Sequence, residues 1–335
     1  MVMRLRTISR IAALCAVAAI ALAAVWGLLI PAGHNAPTLI TISRGDSISK
    51  VASELHSKGL IRSWEAFAAA AYLSGKWRKV QAGRFELTPT MTPLEILDAI
   101  CLGTGKVWRG LTIPEGYTLR QIADEVEWAE LLPADQFLSQ AQMTVDFNPP
   151  FPIPRGSLEG YLFPDTYRVD VGESASAIIQ QMLRRFDNII WQGLFHQQPT
   201  YGGRSLNDII ILASLVEGEA KQDKERPIIA GVLMNRLKRG TRLECDATVQ
   251  YALGDGRKTR LTRQDLTIPS EYNTYLHEGL PPGPICSPGE ASIRAAMTPA
   301  KVPYLYYVAR PDGSHVFSVT FAQHEVAIAQ TRRGH

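Results

Sequence analysis

Two glutamates, Glu217 and Glu219, close the stretch ILASLVEGEAKQD (residues 211–223), one of the most apolar runs of the chain beyond its N-terminal segment. A carboxyl held beside a hydrophobic core loses the solvation that favours its charged form. Its pKa therefore climbs toward the range in which it can donate a proton near neutral pH. Ile209, Ile210, Ile211, Leu212, Leu215 and Val216 surround nearly the whole helical circumference, which marks a buried helix rather than an amphipathic one. Two residues apart on a helix means about 200° around its axis, so only one of the pair can face a given cleft. The spacing alone does not say which.

Four further segments carry residue types suited to a ligand. These are GSLEGYLFPDTY (156–167), RLECDATVQYAL (242–253), YNTYLHEGLPPGPICSPG (272–289) and YLYYVARPDGSHVFS (304–318). They mix Tyr, Asn, Asp and Thr with Gly and Pro, a composition too irregular for core helices. Aromatic faces stack on sugar rings while amides and hydroxyls bond the ring substituents, so such loops can line a glycan groove. Glu159, Tyr161, Asp246, Asn273 and Tyr275 are the expected groove residues. Each also has a plain alternative as a packed loop residue.

The elements that must hold these residues follow from patterning. At 335 residues the chain has room for about two cores. TLITISRGDSISKVASELHSKGLI reads as strand, turn at Gly45-Asp46 and helix, and VQAGRFELTPTMTPLEILDAICLG repeats that logic with a strand near Phe85. Beyond VWRGLTIPEGYTLRQIADEV, where Thr118 is a helix cap, residues 133–156 read as a loop or lid. Helices are expected at 176–193, 206–222 and 224–239, with short strands near the end. The expected architecture is α+β: a tail 1–10, a transmembrane helix 11–30, a linker 31–37, a small module 38–107, a larger mainly helical domain 108–330 and a tail 331–335.

Residues 11–30, IAALCAVAAIALAAVWGLLI, contain no charge and match the ~20 residues a helix needs to cross a hydrocarbon core. That run exceeds the apolar stretch of ~7 to 15 residues found in a cleaved secretory signal. Arg4, Arg6 and Arg10 precede it, which orients the N-terminus to the cytoplasm and the remainder to the far side of an inner membrane, in the periplasm. A net charge of +3 is too small to imply nucleic acid. There is no HExxH, CxxC, GxxxxGK[ST] or GxGxxG, so neither a metal nor a nucleotide cofactor is expected. Cys15 lies in the expected span, which leaves Cys101, Cys245 and Cys286 with room for one pair.

Taken together, LASLVEGEA, LEGYLFPDTY, YNTYLHEGLPPGPI with SPG, and YYVARPDGSHVFS resemble the YceG-like, or MltG, family of endolytic murein transglycosylases, in order over about residues 38–330. The small module is similar to a LysM-like unit. The resemblance implies a peptidoglycan lytic transglycosylase that cuts the bond between N-acetylmuramic acid and N-acetylglucosamine, forms 1,6-anhydro ends and limits nascent strand length. It implies glycan strands as substrate, proximity to glycan polymerases, and the first glutamate of a V-E-K-E stretch, here Glu217, as the acid, with Glu219 supporting. The chain departs from the pattern at Gly218, where Lys is usual. Two other readings stay open: a hydrolase pairing Glu217 with Glu159, Asp165 or Asp246, and a wall-binding scaffold without catalysis.

Overall fold

The computed structural model describes residues 14–18, 26–33, 36–254, 258 and 261–333. The chain divides into two compact units, residues 1–109 with 168–173 and residues 110–167 with 174–335. Part of the expected transmembrane helix, residues 11–13 and 19–25, lies outside the described residues, as does the tail 1–10. Among the described residues, 14–18 and 26–29 are helical, and no helix is long and apolar enough to cross a membrane.

The first unit runs β1 (Thr38–Ile42), α1 (Ile48–Ser57), α2 (Trp64–Leu73), β2 (Gly83–Leu87) and α3 (Pro93–Leu102). β1 and β2 pair antiparallel with Ile40 opposite Phe85. Alternation puts Ile40, Ile42, Phe85 and Leu87 on one face, buried with Val51, Leu55, Phe67, Ile96 and Ile100. Ser47 caps α1, and a Thr92–Glu95 capping box starts α3. The sequence reading placed no helix at α2. Its segment WEAFAAAAYL buries only Phe67, Ala68 and Ala71, so the helix rests on alanine propensity and the Ser63 cap rather than on an apolar stripe.

The second unit carries α4 (Leu119–Trp128), α5 (Ala134–Gln142), α6 (Ala175–Phe186), α7 (Leu206–Glu219), α8 (Arg226–Lys238), α9 (Asp246–Leu253) and α10 (Glu290–Met297), and a late hairpin of β3 (Tyr306–Ala309) with β4 (His315–Ser318) precedes α11 (Phe321–Arg333). The expected helices at 176–193, 206–222 and 224–239 are present as α6, α7 and α8. α6 continues as a π-helical turn over Asp187–Gln192. The loop expected at 133–156 is corrected in its first half, because Pro133 initiates α5, which buries Ala134, Phe137 and Ala141.

α7 is the spine of this unit. A Ser205–Asp208 capping box starts it, every residue from Ile209 to Val216 is buried, and it packs against α8, α9 and α10. It ends at Glu219 because Ala220 turns extended, with ψ 127°. Both glutamates are thus fixed in the last turn of a helix whose body cannot shift without opening the core.

Candidate active site at the end of α7

The last turn of α7 sends its two carboxyls to different places, as their helical angle requires. Glu217 turns inward. Its Oε1 accepts from the Arg226 Nη1 at 3.0 Å and its Oε2 from the Gly289 backbone N–H at 3.0 Å. Arg226 also donates to Ser292 Oγ at 2.5 Å and to Asp223 at 3.0 Å. The side chains of Glu217 and Arg226 are only 7% and 10% exposed, so this is a sheltered ion pair joining α7, α8 and the start of α10. The Glu115 carboxyl crowds the same corner: a Cβ on Gly289 would lie 2.0 Å from it. Burial and the Glu217 charge together push the Glu115 pKa up.

Glu219 turns to a cleft of about 670 Å³ whose walls come from α4, the end of α7, α9 and the loop at Ile285-Cys286. Glu159, Asp246, Gln250 and Tyr251 line the same space, and Glu217 does not. Glu219 Oε1 accepts from the Ala247 N–H at 3.3 Å, in the first turn of α9. Desolvation raises its pKa to about 7, with Asp246 repulsion adding to the rise, while the Ala247 N–H, the neighbouring Tyr307 and Lys221 oppose it.

Glu159 is raised to about 7 by the same burial. Its oxygens accept from the Leu119 N–H at 3.0 and 3.1 Å and from Tyr251 at 3.3 Å, so it closes the N-terminus of α4 beside the Thr118–Gln121 capping box. At Asp246, Oδ1 accepts from the Tyr275 hydroxyl at 2.7 Å. Burial, with that contact, raises the Tyr275 pKa.

This arrangement places a carboxyl whose raised pKa leaves it partly protonated at neutral pH in the wall of an open, polar cleft, which suits general acid catalysis. A profile described as YceG-like family matches residues 40–330. The chain belongs to the YceG-like family. It is similar to an endolytic murein transglycosylase of Bacillus subtilis, 34% identical over 320 residues, with 90% of this chain and 87% of that protein covered. A protein of the same description from Streptococcus pneumoniae strain R6 is 30% identical over 311 residues, and the chain spans only 56% of its length. Among solved structures, a putative YceG-like protein from Listeria monocytogenes matches with a TM-score of 0.57 at 34% identity, covering 87% of this chain and 98% of that one.

The expected site residues do not all line this cleft. Glu217, the expected acid, stands in the ion pair with Arg226. Tyr161 was expected in a groove but is fully buried, its hydroxyl on Asn207 at 3.0 Å and its ring among Phe151 and Phe186. Asn273 is also fully buried and serves its own loop, donating to the Leu266 and Ile268 carbonyls at 3.0 Å and accepting from the Tyr275 N–H at 3.0 Å. Its replacement by Ala strands two carbonyls, so Asn273→Ala should lower unfolding stability by about 2–4 kcal/mol. Chemical denaturation checks this; a variant as stable as the parent but slow in turnover would return Asn273 to the site.

Gly218 faces α9. A Cβ there would stand 2.6 Å from the Ala247 Cβ, which has no flexible end to move aside. Gly218→Ala gains up to about 1 kcal/mol of helix propensity but incurs an overlap of about 1–3 kcal/mol. The expected outcome is a lower melting temperature together with weaker turnover, since the Ala247 N–H moves off Glu219. A more stable variant would show that the two helices separate freely.

The sequence reading did not single out Arg226 or Tyr251. For Tyr251 a signal existed, because Ala247 and Tyr251 are four apart and share a helix face. Arg226 reaches Glu217 across a chain reversal, which no spacing reveals.

Proposed function

We propose that this chain is an endolytic peptidoglycan lytic transglycosylase with Glu219 as its acid and base. The observation that carries the reading is a single one: the Glu219 carboxyl stands in the wall of the cleft, fixed at the end of a buried helix, where burial pushes its pKa up. Protonated Glu219 gives its proton to the glycosidic oxygen as positive charge develops on the muramyl ring. The carboxylate so formed then takes the proton of the C6 hydroxyl, whose oxygen closes the 1,6-anhydro ring. No water is consumed. The names of the relatives from B. subtilis and S. pneumoniae support this substrate class.

Purified sacculi digested with the detergent-solubilised full chain, followed by mass analysis of the fragments, test the reaction. Anhydromuramyl ends from internal cuts are the expected product. Reducing ends would instead favour a two-carboxylate hydrolase, a reading kept alive by Glu159 in the same cleft. Among the other partners considered, Asp165 is paired with Arg185 at 2.5 Å and does not line the cleft.

The surroundings of the enzyme belong to the same proposal. Residues 11–30 anchor the chain in the inner membrane with the N-terminus cytoplasmic and the enzyme periplasmic, on the grounds of an uncharged 20-residue run behind three arginines. The β-α-α-β order of the first unit supports its reading as a LysM-like glycan module. Work beside glycan polymerases would let the enzyme end nascent strands. Resistance of the full chain to carbonate extraction is expected; release into the soluble fraction would remove the anchor.

A further inference from the structure

Several polar side chains in the wall of the cleft are already engaged by the protein itself. Gln250 is clamped at both ends of its amide: Nε2 donates to the Lys258 carbonyl at 2.7 Å and Oε1 accepts from the Lys258 N–H at 2.9 Å. Gln121 accepts from the Thr118 N–H at 2.9 Å, Asp246 from the Tyr275 hydroxyl, and Glu159 from the Leu119 N–H. Groups so engaged have less to offer a sugar hydroxyl, so part of the grip on a glycan must be apolar. Among the described residues that line the cleft, Tyr251 carries the one aromatic ring.

Tyr251 is held from several sides. Its backbone carbonyl accepts from the Gly254 N–H at 3.1 Å, which closes the end of α9. Its hydroxyl donates to Glu159 Oε2 at 3.3 Å. Its ring centroid lies 4.8 Å from that of Tyr272, with the planes at 49°. Tyr272 is confined in turn, because a Cβ on Gly283 would lie 3.0 Å from its hydroxyl. The helix that carries the ring is pinned as well: the buried Thr248 donates to the Cys245 carbonyl at 2.7 Å and meets Thr274 Oγ1 at 2.9 Å. With the hydroxyl engaged by Glu159, what Tyr251 has left for a ligand is its ring.

We infer that Tyr251 is the stacking platform for one pyranose ring of the strand, in the subsite beside the bond that Glu219 cuts. The inference rests on the reading of this cleft as the glycan site. A pyranose presents a face of C–H groups, and the negative face of an aromatic ring attracts it without a hydrogen bond. Because the phenol is fixed before the sugar arrives, little conformational freedom is lost on binding. The subsite follows from α9. Ala247, whose N–H donates to Glu219, and Tyr251 are four residues apart on one helix face, a rise of about 6 Å, close to the length of one sugar.

The test uses the detergent-solubilised full chain on soluble, uncross-linked glycan strands. Turnover is read as anhydromuramyl ends, and binding is measured with the Glu219→Gln change in every variant. Tyr251→Leu removes the aromatic face but fills much of its space; it should raise KM and Kd about 10- to 30-fold with kcat within about threefold. Tyr251→Phe restores the ring without the hydroxyl and should recover most of that loss. A tyrosine that served only to bond Glu159 would give the opposite pattern, with Phe as damaged as Leu. Tyr251→Met makes the same comparison where the Leu variant folds poorly. Non-aromatic variants that bind as tightly as the parent, or a Phe variant as weak as they are, overturn the platform, while anhydro ends from the parent leave the glycan reading in place. A parent that neither binds the strands nor makes anhydro ends overturns both.

Discussion

Glu219→Gln is expected to cost about 10²–10⁴-fold in the production of anhydromuramyl ends, the usual contribution of a positioned acid-base group. Glutamine keeps the shape of the side chain and can still accept from the Ala247 N–H, so the cleft should survive intact. What it lacks is the proton. The parent enzyme should show turnover that falls as pH rises through about 7, where Glu219 loses that proton.

Stability provides a second readout with a definite sign. The folded-state pKa of Glu219 is raised from 4.5 to about 7, so between those values the folded state binds more protons than the unfolded one. Stability from this group is present at low pH and is lost as pH rises through that window. The glutamine variant has no such term and should gain on the parent between pH 4.5 and 7, by roughly 1–3 kcal/mol, less than the full shift because the carboxyl borders the open cleft. Glu159 titrates in the same window and stays in both proteins, so their difference reports Glu219 alone. Parallel denaturation curves across this pH range, or a variant that still makes anhydro ends, would remove Glu219 from the mechanism.

The Thr118 cap and the helices around this site were legible because their causes are local. Thr118 and the run from Ile209 to Val216 act over a few residues, and each fixes an element that carries a site residue. The angle between the glutamates was legible too. Which carboxyl met the cleft was not, because the answer lies in Arg226, Gly289 and Ala247, brought in from three other segments. The aromatic and amide loops failed as guides for a related reason. Tyr161 and Asn273 have the chemistry to bind a sugar, but a phenol or an amide serves equally to satisfy a buried loop, and only the position of the core decides. Tyr251 and Asp246 have the same chemistry and do reach the cleft, carried there by the first turns of α9.

The two glutamates should separate completely in experiment, and Arg226→Ala is the sharper half of that comparison. Removal of the guanidinium leaves Glu217 sheltered with only the Gly289 N–H for support, and the Glu115 carboxyl close by. Breaking a buried pair from one side typically costs about 3–5 kcal/mol, a large share of the stability of a domain. It also frees Ser292 and Asp223, so α8 and α10 lose their shared anchor. Arg226→Ala should therefore unfold at markedly lower denaturant or fail to accumulate. A paired replacement, Glu217→Leu with Arg226→Leu, removes both charges at once and should recover most of that loss, because an apolar pair of similar volume has no desolvation cost. The decisive observation is turnover in the recovered double variant. If Glu217 serves only to lock α7 to α8 and α10, the double variant folds and still makes anhydro ends, since Glu219 and Ala247 are untouched. A double variant that is stable but inactive would return Glu217 to the chemistry and make the ion pair part of the mechanism.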